Sequence, residues 1–223
     1  MRRRADLLAA RLRSHALLVR SLRGGRARLA RRRAARPGVR TLVLANVYGF
    51  PASVPEIAAF LEQVERLAEG RLRIVLVSGW KSARDRDGDG TVLEDLARGV
   101  VDLAWAGAHA VGATLGVRSL DPLLAPLLFP DEDAVRQILA RGELEPLLAP
   151  LSRAGIAGLA LLPGGMRRPF GLTTPLVGPE DWRGKVIRTH PSLPVFASIR
   201  ALGATPAARS VAEGRAGREV GID

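Results

Sequence analysis

Three arginines beside extended segments are the side chains of this sequence best suited to binding an anion. Arg188 ends the predicted strand V-I-R, at the close of the block D-W-R-G-K-V-I-R, while Arg167 and Arg168 begin the extended stretch M-R-R-P-F-G. A guanidinium presents a rigid fork that can hold a carboxylate through two parallel hydrogen bonds. A surface salt bridge to an acid such as Asp181 or Asp121 fits the same spacing. The pattern therefore predicts a carboxylate anchor or an ion pair, without deciding between them.

Signals for other kinds of chemistry are weak or missing in the sequence. There is no cysteine, which excludes disulfides and thiolate metal sites. His15, His109 and His190 are far apart and form no metal-binding spacing, and there is no G-x-S-x-G elbow, phosphate loop or dinucleotide fingerprint. Asp85–Gly90 resembles a calcium loop, but Leu96 stands where the bidentate glutamate belongs. We therefore predict a protein that is not an enzyme and uses no metal and no cofactor.

The predicted secondary structure places polar side chains at the ends of strands. Thr41–Val47 and Arg71–Ser78 are apolar runs typical of buried strands, and the residues between them fit a helix that begins with a capping box. This β-α-β order favours a parallel sheet with a right-handed crossover. Ligands of open α/β sheets bind at the carboxyl ends of the strands. Asn46, Tyr48 and Trp80 follow the first two strands and are therefore candidates to line one crevice.

The alternation of strands and helices continues after these elements, with one irregular interruption. We predict a strand over Val100–Trp105, helices over Asp131–Ala140 and Leu144–Ala154, and a strand over Gly155–Leu162. Leu120–Pro130 contains three prolines, so it cannot be an ordinary helix interior. The composition, with 47% hydrophobic but only 4% aromatic residues, agrees with aliphatic parallel α/β layers and argues against a large stacking surface for nucleic acids.

The first 40 residues differ in charge from the remainder of the chain. They hold 14 Arg and one Asp, whereas residues 41–223 hold 20 Lys+Arg and 21 Asp+Glu. Arginines interrupt the apolar runs, of which Ala16–Val19 is the best, so no convincing signal peptide is present. Residues 1–40 are therefore predicted to be a basic, disordered leader. The alternative is an arm that binds polyanions or an anionic membrane surface.

Five sequence blocks occur in an order that resembles one known family. They are F-L-E-Q-V-E-R-L-A-E-G-R-L-R-I-V-L-V from Phe60, L-E-D-L-A-R-G-V-V-D-L-A-W from Leu93, L-D-P-L-L-A-P-L-L-F-P-D from Leu120, P-L-V-G-P-E-D-W-R-G-K-V-I-R from Pro175, and A-L-G-A-T-P from Ala201. Their order and spacing are similar to those of the solute-binding subunits of tripartite ATP-independent periplasmic (TRAP) transporters, of the four-carbon-dicarboxylate type. The resemblance covers roughly residues 41–210.

The resemblance implies an α/β fold with two lobes and parallel-type sheets, like that of periplasmic binding proteins. It divides the chain into the leader at 1–40, a first lobe at 41–164 and a partial second lobe at 165–223. It also implies a periplasmic or extracytoplasmic location, a small organic acid as the solute, membrane subunits of the transporter as partners, and no specific nucleic acid. The site residues that it implies are Arg188 as carboxylate anchor, Arg167 or Arg168 as its assistant, and Asn46, Tyr48 and Trp80 as the lining from the first lobe.

Two features of the sequence depart from the pattern of that family. The leader lacks the export signal with which family members usually begin, and Val211–Asp223 matches the expected continuation poorly. We therefore expect an incomplete second lobe. A truncated remnant without function stays open as an alternative to a working solute-binding subunit.

Overall fold

A computed structural model describes residues 16–21, 38–47, 54–80, 88–125, 128–164, 169–171, 175–209 and 220–222. The strands are β1 Ala16–Ser21, β2 Arg40–Ala45, β3 Leu72–Val77, β4 Leu103–Gly107, β5 Ile156–Leu162, β6 Pro169–Phe170, β7 Val186–Thr189, β8 Thr205–Ala208 and β9 Val220–Ile222. The α-helices are α1 Pro55–Leu67, α2 Gly88–Ala97, α3 His109–Leu115, α4 Glu132–Ala140, α5 Glu145–Leu148 and α6 Leu193–Ala201. Short 3-10 helices span Asp121–Leu124, Ala149–Ala154 and Pro179–Trp182.

The contacts divide the chain into two compact units. The N-terminal unit consists of Leu17–Ala106 and Leu148–Leu162, and the C-terminal unit consists of Met1–Ala16, Gly107–Leu147 and Pro163–Asp223. This grouping differs from the predicted lobe boundaries at 41–164 and 165–223, because residues 107–147 belong with the residues after 163. Inside the C-terminal unit the turn Asp121–Leu124 contacts both α3 and α6. Local sequence patterns cannot show that a chain passes out of one unit and later returns to it.

The N-terminal unit is built on a five-stranded sheet in the order β3-β2-β4-β1-β5. β2 pairs in parallel with β3 along its whole length, and with β4 at Leu44↔Leu103 and Ala45↔Ala104. The carboxyl half of β2 and all of β4 are buried, as expected for apolar strands covered on both faces. The predicted β-α-β opening and the α/β class with parallel sheets are thereby confirmed.

Helix α1 connects β2 to β3 and begins without the predicted capping box. Its N-cap is Val54, which makes no side-chain cap, and Pro55 follows at the first helical position, where a missing N–H costs nothing. Ser53, the predicted cap, lies outside the described residues. Ile57 is the buried residue on the inner face of the helix.

Strand β1 lies within the predicted leader and corrects the expectation of disorder there. Ala16–Ser21 occupies an interior position of the five-stranded sheet, between β4 and β5. The prediction was made from the net charge of 40 residues, but a strand needs only six, and A-L-L-V at 16–19 is an uncharged apolar run. A high average charge therefore did not prevent this short segment from pairing.

The C-terminal unit contains a second sheet, in the order β6-β9-β7-β8. β7 pairs in parallel with β8 and with β9, whereas β6 is antiparallel to β9. Helix α6 connects β7 to β8, and its inner face forms a small core with Ile187, Val195, Ile199 and Ala204. The block A-L-G-A-T-P ends α6 and enters β8, because Gly203 adopts a φ of 79° that breaks the helix.

Two further predictions are refined by proline positions. The helix expected over Leu144–Ala154 is one α-helical turn, α5, followed by the 3-10 helix Ala149–Ala154, with Pro146 and Pro150 inside the span. The expected irregular segment after Leu120 contains a 3-10 turn. No helix among the described segments combines the length and apolar character needed to cross a bilayer.

Candidate functional site

The C-terminal unit places Arg188 near the carboxyl end of β7, with Thr189 as the last residue of the strand. The arginine is only 5% exposed, and its Nε donates a hydrogen bond of 2.8 Å to the carbonyl oxygen of Arg209. A buried guanidinium is unfavourable unless anions or acceptors surround it. The carbonyl of Arg209 fixes the orientation of the guanidinium. Because the side chain is nearly fully buried, its positive charge has little contact with water.

Two acids that could have paired with Arg188 have other partners. The Asp181 carboxylate accepts hydrogen bonds from the backbone N–H groups of Val177 and Gly178 at 2.8 and 2.9 Å. These two hydrogen bonds lower the pKa of Asp181 below its ordinary value of 3.8. Asp121 forms an ion pair of 2.8 Å with Arg118. The contacts of both acids are therefore explained by local turns.

The residues that follow Arg188 form a polar cluster that the sequence reasoning did not single out. Thr189 and Ser192 are buried, and neither hydroxyl has a hydrogen-bond partner. The ring of His190 packs on that of His109, the first residue of α3, with 4.4 Å between centroids and 33° between planes. The available signal was the run R-T-H-P-S at the end of a predicted strand, in which four of the five residues are polar.

The N-terminal unit places Asn46 directly after β2. Its backbone N–H donates to Val77 at 3.1 Å, and its carbonyl accepts from the N–H of Trp80 at 2.8 Å. The side chain is 0% exposed, and neither its oxygen nor its nitrogen has a partner. An unsatisfied buried polar group costs about 1–3 kcal/mol. Such a side chain needs either an internal water or a ligand to complete its hydrogen bonds.

Trp80 follows β3 in the same unit and is partly buried. Its indole Nε1–H donates to Oδ2 of Asp95 at 2.9 Å. The other carboxylate oxygen of Asp95 accepts from Nη2 of Arg98 at 2.8 Å. The strand-end rule predicted Trp80, but it gave no indication of Asp95, because the two residues are fifteen apart and meet only through the packing of α2.

Three of the predicted site residues, Tyr48, Arg167 and Arg168, lie outside the described residues. Arg188 belongs to the C-terminal unit, and Asn46 and Trp80 belong to the N-terminal unit. The calcium-like loop is also only partly described, and Gly88, Asp89 and Gly90 form the first turn of α2 rather than a loop. Across the part of the chain that the structure describes, no cluster of three or more His, Asp or Glu side chains could hold a metal ion.

Comparison with known proteins identifies the family. Residues 54–213 match DctP, the bacterial extracellular solute-binding protein family 7. The chain belongs to this family. The family resemblance read from the five sequence blocks is thereby confirmed. Family 7 proteins bind solutes rather than catalyse reactions, and membership does not favour the alternative of polyanion binding through the leader.

One relative and two solved structures show how far the similarity extends. The C4-dicarboxylate-binding periplasmic protein DctP of Rhodobacter capsulatus is 28% identical over 156 residues, which is 70% of this chain and 45% of that protein. A TRAP periplasmic solute-binding protein of Pseudomonas aeruginosa PAO1, solved with L-malate, has a TM-score of 0.67 at 24% identity and covers 82% of this chain and 64% of its own. The corresponding protein of Xanthobacter autotrophicus Py2, solved with β-D-galacturonate, has a TM-score of 0.68 at 22% identity, with coverages of 82% and 61%.

These comparisons confirm the predicted periplasmic-binding-protein-like fold of this family 7 chain. They also show that the chain spans about half of the length of the curated relative and about three fifths of the solved structures.

Proposed function

We propose that this family 7 chain is the solute-binding part of a TRAP transporter and that it binds a small organic carboxylate through Arg188. The observation that carries the proposal is the position of that arginine, nearly fully buried near the end of a parallel strand, with its Nε fixed by the Arg209 carbonyl. A cation held in a low-dielectric position attracts an anion more strongly than the same cation in water. A carboxylate can also use the bidentate geometry of the fork.

The choice of a carboxylate is supported by the ligands of similar proteins. The relative from R. capsulatus is named for four-carbon dicarboxylates, and the two solved structures hold L-malate and β-D-galacturonate. These acids differ in size and shape but share a carboxylate. A buried arginine is suited to the group that they share.

Further contacts of the solute are proposed from the other candidate residues. In the N-terminal unit, the unpartnered amide of Asn46 is suited to a polar group of the solute, because it offers both a donor and an acceptor. Arg167 or Arg168 and Tyr48 are carried over from the family resemblance as further contacts. Delivery of the solute to membrane subunits, and a periplasmic location, likewise follow from the family.

Ligand-dependent thermal stabilisation is the direct test of this function. The intact chain is heated with a panel of organic acids that includes L-malate, succinate and D-galacturonate. A ligand at one hundred times its dissociation constant adds about 2.7 kcal/mol to the free energy of unfolding, which for a chain of this size raises the melting temperature by about 5–10 °C. Arg188→Ala should abolish the shift.

The matched control is Arg153→Ala, which removes an exposed arginine in the N-terminal unit and should leave the shift unchanged. The proposal is contradicted if the folded wild-type chain responds to no acid in the panel. It is equally contradicted if Arg188→Ala, shown to be folded by circular dichroism, binds as well as wild type.

A further inference from the structure

Ser192 occupies the N-cap position of α6, but its hydroxyl does not cap the helix. Its φ of −152° and ψ of 122° are extended, as is usual for an N-cap, and its carbonyl accepts a hydrogen bond from the N–H of Phe196 at 2.9 Å. Its side chain makes no cap hydrogen bond. Asp131, at the same position before α4, does make one, since its carboxylate accepts from the N–H of Ala134 at 2.8 Å. Ser192 therefore has the backbone of a cap without its usual side-chain contact.

The hydroxyl of Ser192 is also removed from water. The residue is only 5% exposed, and its Oγ has no hydrogen-bond partner among the residues that the structure describes. A buried hydroxyl is unfavourable unless it is hydrogen-bonded. Serine is a donor as well as an acceptor, so this hydroxyl is suited to donate to an oxygen atom of a ligand.

The first turn of α6 adds a preference for negative charge. The first N–H groups of a helix have no intrahelical acceptor, and the helix dipole is positive at this end. Pro194, the second residue of this nine-residue helix, has no N–H. Val195 is then the donor that an N-cap side chain would ordinarily bind. A carboxylate oxygen beside Ser192 can take the place of that side chain.

The start of α6 lies at the same edge of the second sheet as Arg188. Only three residues, 190–192, separate the end of β7 from the helix, and Arg209, whose carbonyl holds the Nε of Arg188, directly follows β8. β8 and β9 are consecutive strands, yet they pair in parallel with opposite sides of β7. Ligands of open α/β sheets bind outside the carboxyl ends of the strands where the strand order reverses in this way.

We infer that Ser192 and the first turn of α6 form a second contact for the carboxylate that Arg188 is proposed to bind. The hydroxyl of Ser192 donates to a carboxylate oxygen, and the positive end of the helix dipole stabilises the charge. The inference rests on the proposed function and adds a binding residue to it. Because the contact is made to the carboxylate, it is common to every acid that the chain binds.

Calorimetry with L-malate and D-galacturonate is the first test. Ser192→Ala should weaken each acid that wild type binds by about tenfold or more, as expected for the loss of a hydrogen bond to a charged group. Ser192→Thr, which keeps a hydroxyl, should retain most of the affinity. Ser198→Ala is the matched control on the same helix, because the Ser198 hydroxyl already donates to the carbonyl of Pro194 at 2.9 Å. It should bind both acids as wild type does.

Thermal melts of the free chain separate this contact from an ordinary helix cap. Loss of a serine that caps a helix lowers stability. Ser192→Ala removes a hydroxyl that caps nothing, so the melting temperature of the free variant should equal or exceed that of wild type while the affinity falls. A lower melting temperature with unchanged affinity would show that Ser192 caps α6 in solution, and it would overturn the inference.

Leu193→Asp tests the helix dipole without altering a buried residue. Leu193 is the first residue of α6 and is 57% exposed. An acid in the first turn is favourable for the helix, so the variant should fold, but its charge competes with the solute for the positive end of the dipole. Each acid should bind about two- to fivefold more weakly, with a smaller loss at high salt. Ala197→Asp, at an exposed position one turn later, should lose less.

Variants of Arg188 and of α6 together distinguish this inference from the proposed function. If Arg188→Ala abolishes binding but Ser192→Ala and Leu193→Asp bind as wild type does, the inference is wrong and the proposed function stands. If the folded wild-type chain binds none of the acids in the panel, the proposed function itself fails, and the inference fails with it.

Discussion

The two units solve the same architectural problem with different chemistry. Each places its candidate contacts where parallel strands end, after β2 and β3 in the N-terminal unit and near the carboxyl end of β7 in the C-terminal unit. Among the candidate contacts that the structure describes, the C-terminal unit offers a buried positive charge, Arg188, whereas the N-terminal unit offers the neutral groups of Asn46 and Trp80. A charge attracts every carboxylate, but neutral groups distinguish between carboxylates by shape. The two strand ends therefore differ in the kind of group that they are suited to contact, an anion at Arg188 and neutral groups at Asn46 and Trp80.

The largest expected effect is a loss of affinity for the acid in variants of Arg188. Arg188→Lys keeps a positive charge but replaces the planar fork by a point charge. We expect the affinity for each bound acid to fall by about ten- to one-hundredfold, corresponding to about 1.4–2.8 kcal/mol, with Arg188→Ala losing more. Calorimetry with L-malate and D-galacturonate measures both losses. If Arg188→Lys binds as tightly as wild type, bidentate geometry is not what holds the carboxylate.

The next effect concerns Asn46, whose replacement by an apolar residue should increase the stability of the chain but weaken its binding of the acid. Asn46→Leu replaces a fully buried, unpartnered amide by an apolar group of similar size. It should raise the free energy of unfolding of the free chain by about 1–3 kcal/mol and weaken the preferred acid by about tenfold. Urea unfolding and calorimetry report the two quantities. Lower stability in the variant would mean that the amide has a partner in solution, such as an internal water.

A smaller effect on stability, without an effect on binding, distinguishes Thr189 from the proposed anchor Arg188. Thr189 follows Arg188, so the two side chains point to opposite faces of β7, and the Thr189 hydroxyl is buried without a partner. Thr189→Val should therefore raise the free energy of unfolding by about 1 kcal/mol, as measured by urea unfolding. Affinity for the acids should stay within about twofold of wild type. A large loss of affinity would instead place the hydroxyl among the ligand contacts.

The smallest effect is a pH dependence in the turn that leads into β7. Hydrogen bonds from Gly178 and Val177 lower the pKa of Asp181 in the folded chain, so its ionised form stabilises the fold. This contribution is complete above the unfolded value of 3.8 and disappears as the pH falls through the lower folded value. Thermal melts should show Asp181→Asn to be less stable than wild type at pH 7, with the difference vanishing at the most acidic pH. A constant difference over the whole range would contradict this assignment.

The sequence predicted those parts of the fold that depend on short periodic patterns. The β2-α1-β3 unit, α4 and β5 were predicted within a few residues, because their apolar spacing and their flanking Gly and Pro residues are local signals. The amino end of α4 shows this well, since Asp131, the first residue of the predicted helix, is the N-cap and accepts a hydrogen bond from the N–H of Ala134 at 2.8 Å. The strand-end rule combined with the ordered family blocks placed Arg188 and Asn46 at strand ends, which is where the structure has them.

Features that depend on distant contacts could not be predicted in this way. Asp95 was not predicted, because its contact with Trp80 is a hydrogen bond between two different parts of the chain. The grouping of residues 107–147 with the C-terminal unit depends on packing between the turn at Asp121–Leu124 and α6. The strand at Ala16–Ser21 was not predicted, because the sequence around it is rich in arginine.

That strand also determines the order in which the N-terminal unit can fold. β1 precedes the other strands of its sheet in the sequence, yet its neighbours in the sheet are β4 at Leu103–Gly107 and β5 at Ile156–Leu162. Pairings that join such distant parts of a chain are slow to form, since a long loop must close before any contact compensates for it. Until β5 has left the ribosome, β1 can complete only one of its two edges. Trimming the basic N-terminal segment would therefore remove a strand from the interior of the sheet and leave β4 and β5 with exposed pairing edges.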